Sequence, residues 1–219
     1  MLDFNGIRFH WLGHDGYKIV ASGKTIYIDP FQLSKSQQSK NDADIILISH
    51  NHYDHLSMVD LKQVIGEKTT IVAAKECVEQ LKNNVGTTEI KDVAPGDTLT
   101  VHGVPIEAVA AYNTNKHFHP RADRKVGFVI TLNNLRIYHS GDTDDIPEMS
   151  ATKPDVALVP VSGTYVMTAE EAARAINGKI KPKRLAIPMH YGSIVGSEKD
   201  AVNFKQLVQV CPVEILDRE

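Results

Sequence analysis

Six consecutive residues, His50-Asn51-His52-Tyr53-Asp54-His55, gather three imidazoles and one carboxylate in a single short segment. Imidazole nitrogen and carboxylate oxygen suit zinc, manganese or iron rather than a thiolate-selective site. His50 and His52 can reach one ion from alternate positions, and Asp54 and His55 can then reach a neighbouring ion. Two cations about 3.5–4 Å apart acidify a shared water and stabilise charge on a leaving oxygen. The competing reading is a histidine-rich surface loop. It is the weaker one, because four potential ligands seldom coincide directly after an apolar run such as Asp44–Ser49 (DIILIS).

Two later segments add candidates. Ser140-Gly141-Asp142-Thr143 and Pro188-Met189-His190-Tyr191-Gly192 each follow an expected strand. Taken alone, Gly-Asp is an ordinary turn dipeptide and His190 could be a hydrogen-bonded core histidine. His14, flanked by Gly13 and Gly16 on a tight turn, could contact substrate, support a ligand or be only a turn residue. Asp29, before Pro30, could orient a ligand histidine or cap a turn. His10, His102 and His139 carry no pattern, and a packed histidine is the plainer reading of His139. Cys77 and Cys211 stand far apart in no metal spacing, which argues against a disulfide framework. No G-x-S-x-G elbow or phosphate-binding P-loop is present.

The elements that must position these residues can be read from pattern. Short β-branched or aromatic runs at Gly6–His10, Tyr17–Val20 and Thr25–Ile28 predict strands separated by glycine-bearing turns. Asp44–Ser49 has the continuous apolar character of a strand buried on both faces. Ser57 can cap a helix carrying Met58, Leu61, Val64 and Ile65 at helical spacing. A strand at Thr70–Ala73 and a helix at Lys75–Asn83 follow. The second half repeats the plan with strands at Thr98–Val101, Pro105–Ala110, Val126–Leu132 and Leu135–His139. Asn133-Asn134 suits the hairpin turn between the last two. Then come a strand at Asp155–Val159, a capping-box helix from Thr168 through Ile176 that Gly178 is placed to end, a strand at Arg184–Ile187 and a helix at Ser197–Val210. The polar stretch Gln32–Asn41 reads as a surface loop. Meandering strands followed by strand–helix alternation in each half predict two face-to-face sheets with helices outside, in a single domain spanning residues 1–219.

The motif around His50 resembles the H-x-H-x-D-H signature of the metallo-β-lactamase superfamily. Ser140–Thr143 and Pro188–Gly192 follow in the order and spacing of that family's bridging aspartate and last histidine. Trp11-Leu12-Gly13-His14 and Ile28-Asp29-Pro30 look like its opening hairpins. The branch holding ascorbate-6-phosphate lactonase and N-acylphosphatidylethanolamine phospholipase D is the most similar in flavour. The resemblance implies an α/β, four-layer αβ/βα sandwich. It also implies His50 and His52 on a first ion, Asp54, His55 and His190 on a second, and Asp142 bridging both, with a hydroxide between the ions as nucleophile. One departure is visible. The position aligned with the family's third histidine for the first ion is Asn113, a weak neutral donor. His117 or His119 could complete that site, and His119 is preferred because Pro120 stiffens the chain beside it.

Composition bounds the reading. The 219 residues are 42% hydrophobic and 23% charged with a formal net charge of −3, the balance of an ordinary globular domain. No basic excess argues for nucleic acid as an obligate partner. The short run Lys179–Arg184 reads as a solvated turn. No run of about 18 apolar residues suggests a membrane span. The first residues carry neither a basic leader nor an apolar signal core, so the expectation is a cytoplasmic protein. The function expected is hydrolysis of an ester, lactone or phosphodiester, a small-molecule or phosphodiester substrate, with one or two zinc ions, manganese or iron being alternatives. Asp54 and Asp142 are the candidate catalytic carboxylates. The rivals are a nuclease acting on RNA and a non-enzymatic binding protein with a degenerate metal site, which Asn113 keeps open.

Overall fold

The computed structural model describes residues 1–86 and 88–219. Thirteen strands form two sheets among these residues. The first sheet holds, in order, β1 (Leu2–Phe4), β2 (Ile7–Gly13), β3 (Gly16–Ala21), β4 (Lys24–Ile28), β5 (Ala43–Ile48), β6 (Ile65–Ala74) and β7 (Glu89–Val93). The second runs from β8 (Thr98–Val101) through β9 (Val104–Ala110), β10 (Val126–Leu132), β11 (Leu135–His139) and β12 (Val156–Pro160) to β13 (Leu185–Met189). Each sheet starts as an antiparallel meander and ends in parallel strands. β4, β5, β6 and β7 pair in parallel in the first, and β11, β12 and β13 in the second. The parallel strands need crossovers, which α1 (Met58–Val64) and α2 (Val78–Lys82) supply in one half. In the other, α3 (Ala169–Ala175) does so, and α4 (Glu198–Leu207) packs on α3 and on β13.

The apolar runs explain the layering. Ile45 to Ile48 in β5 and Val156 to Val159 in β12 are fully buried, as parallel strands covered on both faces require. Apolar side chains of both sheets merge into one core. This is the expected αβ/βα sandwich. At one edge the sheets are tied together, because the Val126 amide at the start of β10 donates to the Ser49 carbonyl just after β5, at 3.1 Å. That edge is where the candidate ligands gather.

Several boundaries differ from the sequence reading. β1 and β7 are short or half-exposed edge strands with little periodicity to betray them. The helix after Ser57 stops at Val64, and Ile65 already begins β6, five residues before the strand expected at Thr70. The Lys75–Asn83 helix splits into a 3-10 turn, Lys75–Cys77, and α2. Gly178 does not end α3. The helix widens into a π turn over Ile176–Ile180, and Lys181 takes the left-handed conformation (φ 46°) instead. The final helix ends at Leu207 rather than Val210. The capping residues behave as read: Ser57 accepts from the Asp60 amide, and Thr168 and Glu171 form a reciprocal box. Asn133 and Asn134 turn the β10–β11 hairpin at φ 49° and 61°. The Gln32–Asn41 loop is less free than its polarity suggests, since buried Asp60 accepts the amides of Gln32 and Leu33.

Gly127 illustrates how tightly the second sheet holds the site. A methyl there would lie 2.7 Å from the His139 carbonyl oxygen and closer still to that of Ser140, the two residues leading to Asp142. We expect Gly127→Ala to destabilise the protein by about 1–3 kcal/mol through overpacking. Gly178→Ala, with nothing within 4 Å of the added methyl, should stay within about 0.5 kcal/mol of the parent. Urea unfolding of both variants checks this, and equal midpoints would contradict it.

Candidate metal centre

Ser49 leaves β5 and the next six residues turn back over the strand end, the His52 carbonyl accepting the amides of His55 and Leu56. The turn aims His50, His52, Asp54 and His55 at the seam between the sheets. From the second sheet, the segment after β11 brings Asp142 and the segment after β13 brings His190. The loop between β9 and β10 brings His119.

The side chains form two groups. In one, His50 Nε2 lies 3.1 Å from His52 Nδ1, and His119 Nε2 lies 3.3 Å from the same nitrogen. In the other, donor atoms of His14, Asp54, His55 and His190 lie within 4.8 Å of one another. Asp142 stands between them. Its Oδ1 is 3.4 Å from His55 Nε2, and its Oδ2 is 3.4 Å from His119 Nε2 and 3.3 Å from His190 Nε2. Donors held at 2.0–2.1 Å from a tetrahedral cation lie about 3.3 Å apart, which is the spacing seen here. His55 Nε2, His190 Nε2 and Asp142 Oδ1 are buried with no hydrogen-bond partner. Orphaned polar atoms of this kind carry a large penalty unless another group satisfies them. The donor set therefore fits divalent cations.

The second ring of contacts fixes the ligand orientations. Asp29 Oδ2 takes His55 Nδ1 at 2.9 Å while its carboxylate also accepts the Ser49 amide (2.8 Å) and hydroxyl (2.5 Å). Ser162 Oγ is 2.9 Å from His190 Nδ1 and Ser49 Oγ is 2.9 Å from His50 Nδ1. Asn113 turns out to be a support. Its Oδ1 accepts the His119 amide at 3.0 Å and lies 3.2 Å from His119 Nδ1, and its Nδ2 donates to the Tyr165 carbonyl. His119 is buried in the cluster, whereas His117 is exposed. His14 Nε2 lies 3.1 Å from Asp54 Oδ2, and its ring centroid is 3.9 Å from that of His190. Its carbonyl takes both the His190 amide and the Trp11 indole. His139 is a packed core residue bonded to the Asp15 carbonyl, as its strand position suggested. His14, Asp29 and His190 all adopt positive φ (52°, 42° and 59°), an uncommon conformation for residues with side chains and one that clusters at functional sites.

The buried charges of the cluster oppose one another. Burial pushes His50 well below its ordinary range and takes His14 and His119 down to about 4, leaving neutral imidazoles. Burial also opposes the Asp142 carboxylate, but His190 and His55 outweigh it and hold the group well below the usual range. For His55 burial disfavours the proton, yet Asp142 and Asp29 raise its pKa to about 10. Neutral imidazoles and ionised carboxylates are the forms that bind metal, so a cation held by His55 would displace its proton. Asp15 escaped the sequence reading, because nothing distinguishes it from a turn residue after His14. It is fully buried, its oxygens lack donors, and burial raises its pKa well above the carboxylate range beside Asp142 and His55.

Comparisons with known proteins identify the family. The family model described as the beta-lactamase superfamily domain matches residues 8–190. A UPF0173 metal-dependent hydrolase of Thermococcus onnurineus is 34% identical, over 92% of this chain and 92% of its own length. The crystal structure of a Parabacteroides distasonis protein classed as a metal-dependent hydrolase superposes with TM-score 0.81 at 32% identity, covering 97% of this chain and 94% of that one. The metallo-beta-lactamase fold protein YhfI of Bacillus subtilis shares the fold, with TM-score 0.71 at 15% identity over 94% and 89% of the two chains. The chain therefore belongs to the metallo-β-lactamase superfamily, among its UPF0173 metal-dependent hydrolases.

Proposed function

We propose that the protein hydrolyses an ester, lactone or phosphodiester at a two-cation centre. His50, His52 and His119 would hold the first ion, Asp54, His55 and His190 the second, and Asp142 both. The observation that carries this reading is the position of Asp142, whose two oxygens face imidazoles of both groups at 3.3–3.4 Å. Cations bound there would lower the pKa of a water and polarise the bond under attack. Zinc suits the nitrogen-rich donor set, with manganese or iron able to use the same ligands.

The chain's own residues do the positioning. Asp29, Ser162 and Asn113 hold three histidines so that one ring nitrogen of each faces the cluster. Asp54 borders the open cleft, and the hydrogen bond from His14 fixes its carboxylate toward the centre. The alternative of a degenerate site rested on Asn113; the contacts of His119 with His52 and of Asn113 with His119 support the complete site instead.

Asp142→Asn and His52→Ala should each lose bound metal and lower turnover by more than about 100-fold, since second-ring substitutions alone cost 10–100-fold. Full metal content by elemental analysis with full turnover in both variants would overturn the ligand roles. Asn113→Ala should weaken metal affinity about 10–100-fold, whereas His117→Ala should leave it unaffected. Competition titration with a chromogenic chelator measures both, and equal affinities would remove Asn113 from its supporting role.

A further inference from the structure

The cleft above Asp54 and Asp142 has a volume of about 420 Å³, within the range of small-molecule sites. Its walls are Tyr53, Phe118, Tyr165 and Ile194. Tyr53 is 69% exposed and Phe118 49%, unusually open for large aromatic residues. Both are nonetheless braced. Phe118 meets Tyr165 edge-on with centroids 4.6 Å apart, and Tyr53 meets the buried Phe31 edge-on at 5.9 Å. Braced, water-exposed aromatic faces lining a cleft lose little entropy when an apolar group packs against them.

The charge on the walls points the same way. Among the described residues, none that borders the cleft is lysine or arginine. The loop between β9 and β10 carries four cations, Lys116, Arg121, Arg124 and Lys125; none lines the cleft, and three are paired, Arg121 with Glu148 at 2.8 Å. Lys116 Nζ lies 2.6 Å from Asp144 and 3.8 Å from Glu171, and Lys125 Nζ lies 2.8 Å from Glu76 and 3.5 Å from Asp123. Recognition of phosphate or of a remote carboxylate ordinarily uses such cations, above all arginine. The wall offers instead aromatic faces and the neutral amide of Asn51.

We propose that the substrate is an uncharged carboxylic ester or lactone whose acyl part carries an aromatic or similarly apolar group, seated against Phe118–Tyr165 and Tyr53. The inference rests on the proposed hydrolase chemistry and selects among its substrates. Water adds to the acyl carbon, the acyl C–O bond breaks, and the carboxylic acid and alcohol leave, with no redox partner required. RNA falls outside this class because the phosphates flanking the reacting one would find no lysine or arginine on the cleft wall, and a simple phosphodiester, whose single charge lies on the reacting group, is separated by the test below.

The test uses the zinc-loaded protein with 4-nitrophenyl acetate, phenylacetate and hemisuccinate and with bis(4-nitrophenyl) phosphate. We expect kcat/KM for phenylacetate to exceed that for acetate and for hemisuccinate by about 10-fold or more, since even one added methylene is worth 10–200-fold in an apolar pocket. Phe118→Ala should shrink the phenylacetate-to-acetate ratio about fivefold, through KM. Equal or higher kcat/KM on hemisuccinate or on the phosphodiester would overturn the inference. If no compound is turned over, the hydrolytic reading fails, and binding then decides recognition separately. Saturable binding of N-benzylacetamide, followed by ligand-observed NMR and weakened about fivefold by Phe118→Ala, supports the apolar site. Absent binding, or binding that ignores the substitution, refutes it.

Discussion

A carboxylate with almost no contact with water must be balanced by positive charge close by, and Asp142 has three imidazole nitrogens at 3.3–3.4 Å for that purpose. Those imidazoles are themselves buried, so protonating all of them would only replace one desolvation penalty with several. Of the three, His119 stays neutral under burial, whereas Asp142 draws His55 and His190 toward the protonated form, and His50 and His14 beyond them are held neutral by burial. Divalent cations held by the proposed ligands would resolve this conflict. They would concentrate charge at the centre, engage buried nitrogens that lack hydrogen-bond partners and leave the carboxylates ionised. The free energy of assembling the centre would thus be coupled to metal binding.

The fold is arranged to bring these groups together without letting them relax apart. Each sheet presents the carboxyl ends of its parallel strands at the same edge, and the Val126–Ser49 hydrogen bond joins the two edges there. Candidate ligands from four segments, His50–His55, His119, Asp142 and His190, therefore depend on sheets whose central parallel strands, such as β5 and β12, are buried on both faces. His14, Asp29 and His190 in the cluster hold left-handed backbone conformations, and Gly127 is too crowded for a methyl group. The surrounding core supplies the stability against which such conformations can persist.

Much of this was legible in the sequence. The ligand-rich run after β5 is local, so spacing alone exposes it, and the continuous apolar runs of β5 and β12 are visible as buried strands. Asp142 and His190 needed the family resemblance, because each is an unremarkable dipeptide or strand-end residue by itself. Other features were hidden for physical reasons. Asn113 looked like a lost ligand because sequence alignment reports position and not direction. Only the folded loop reveals that its side chain holds His119. Asp15 has no sequence neighbour to mark it, since its importance comes from burial beside residues far along the chain. The edge strands β1 and β7 bury too little to carry a period, and the end of α3 is set by a π turn that no helix-stop residue announces.

The central claim is that Asp142 joins two groups of ligands into one cation-holding centre. Anomalous diffraction from crystals grown with zinc tests it most directly. The account predicts two peaks about 3.5–4 Å apart, one among His50, His52 and His119 and one among Asp54, His55 and His190, with Asp142 between them. Peaks confined to surface residues, or a cluster that stays free of zinc at saturating metal, would contradict it.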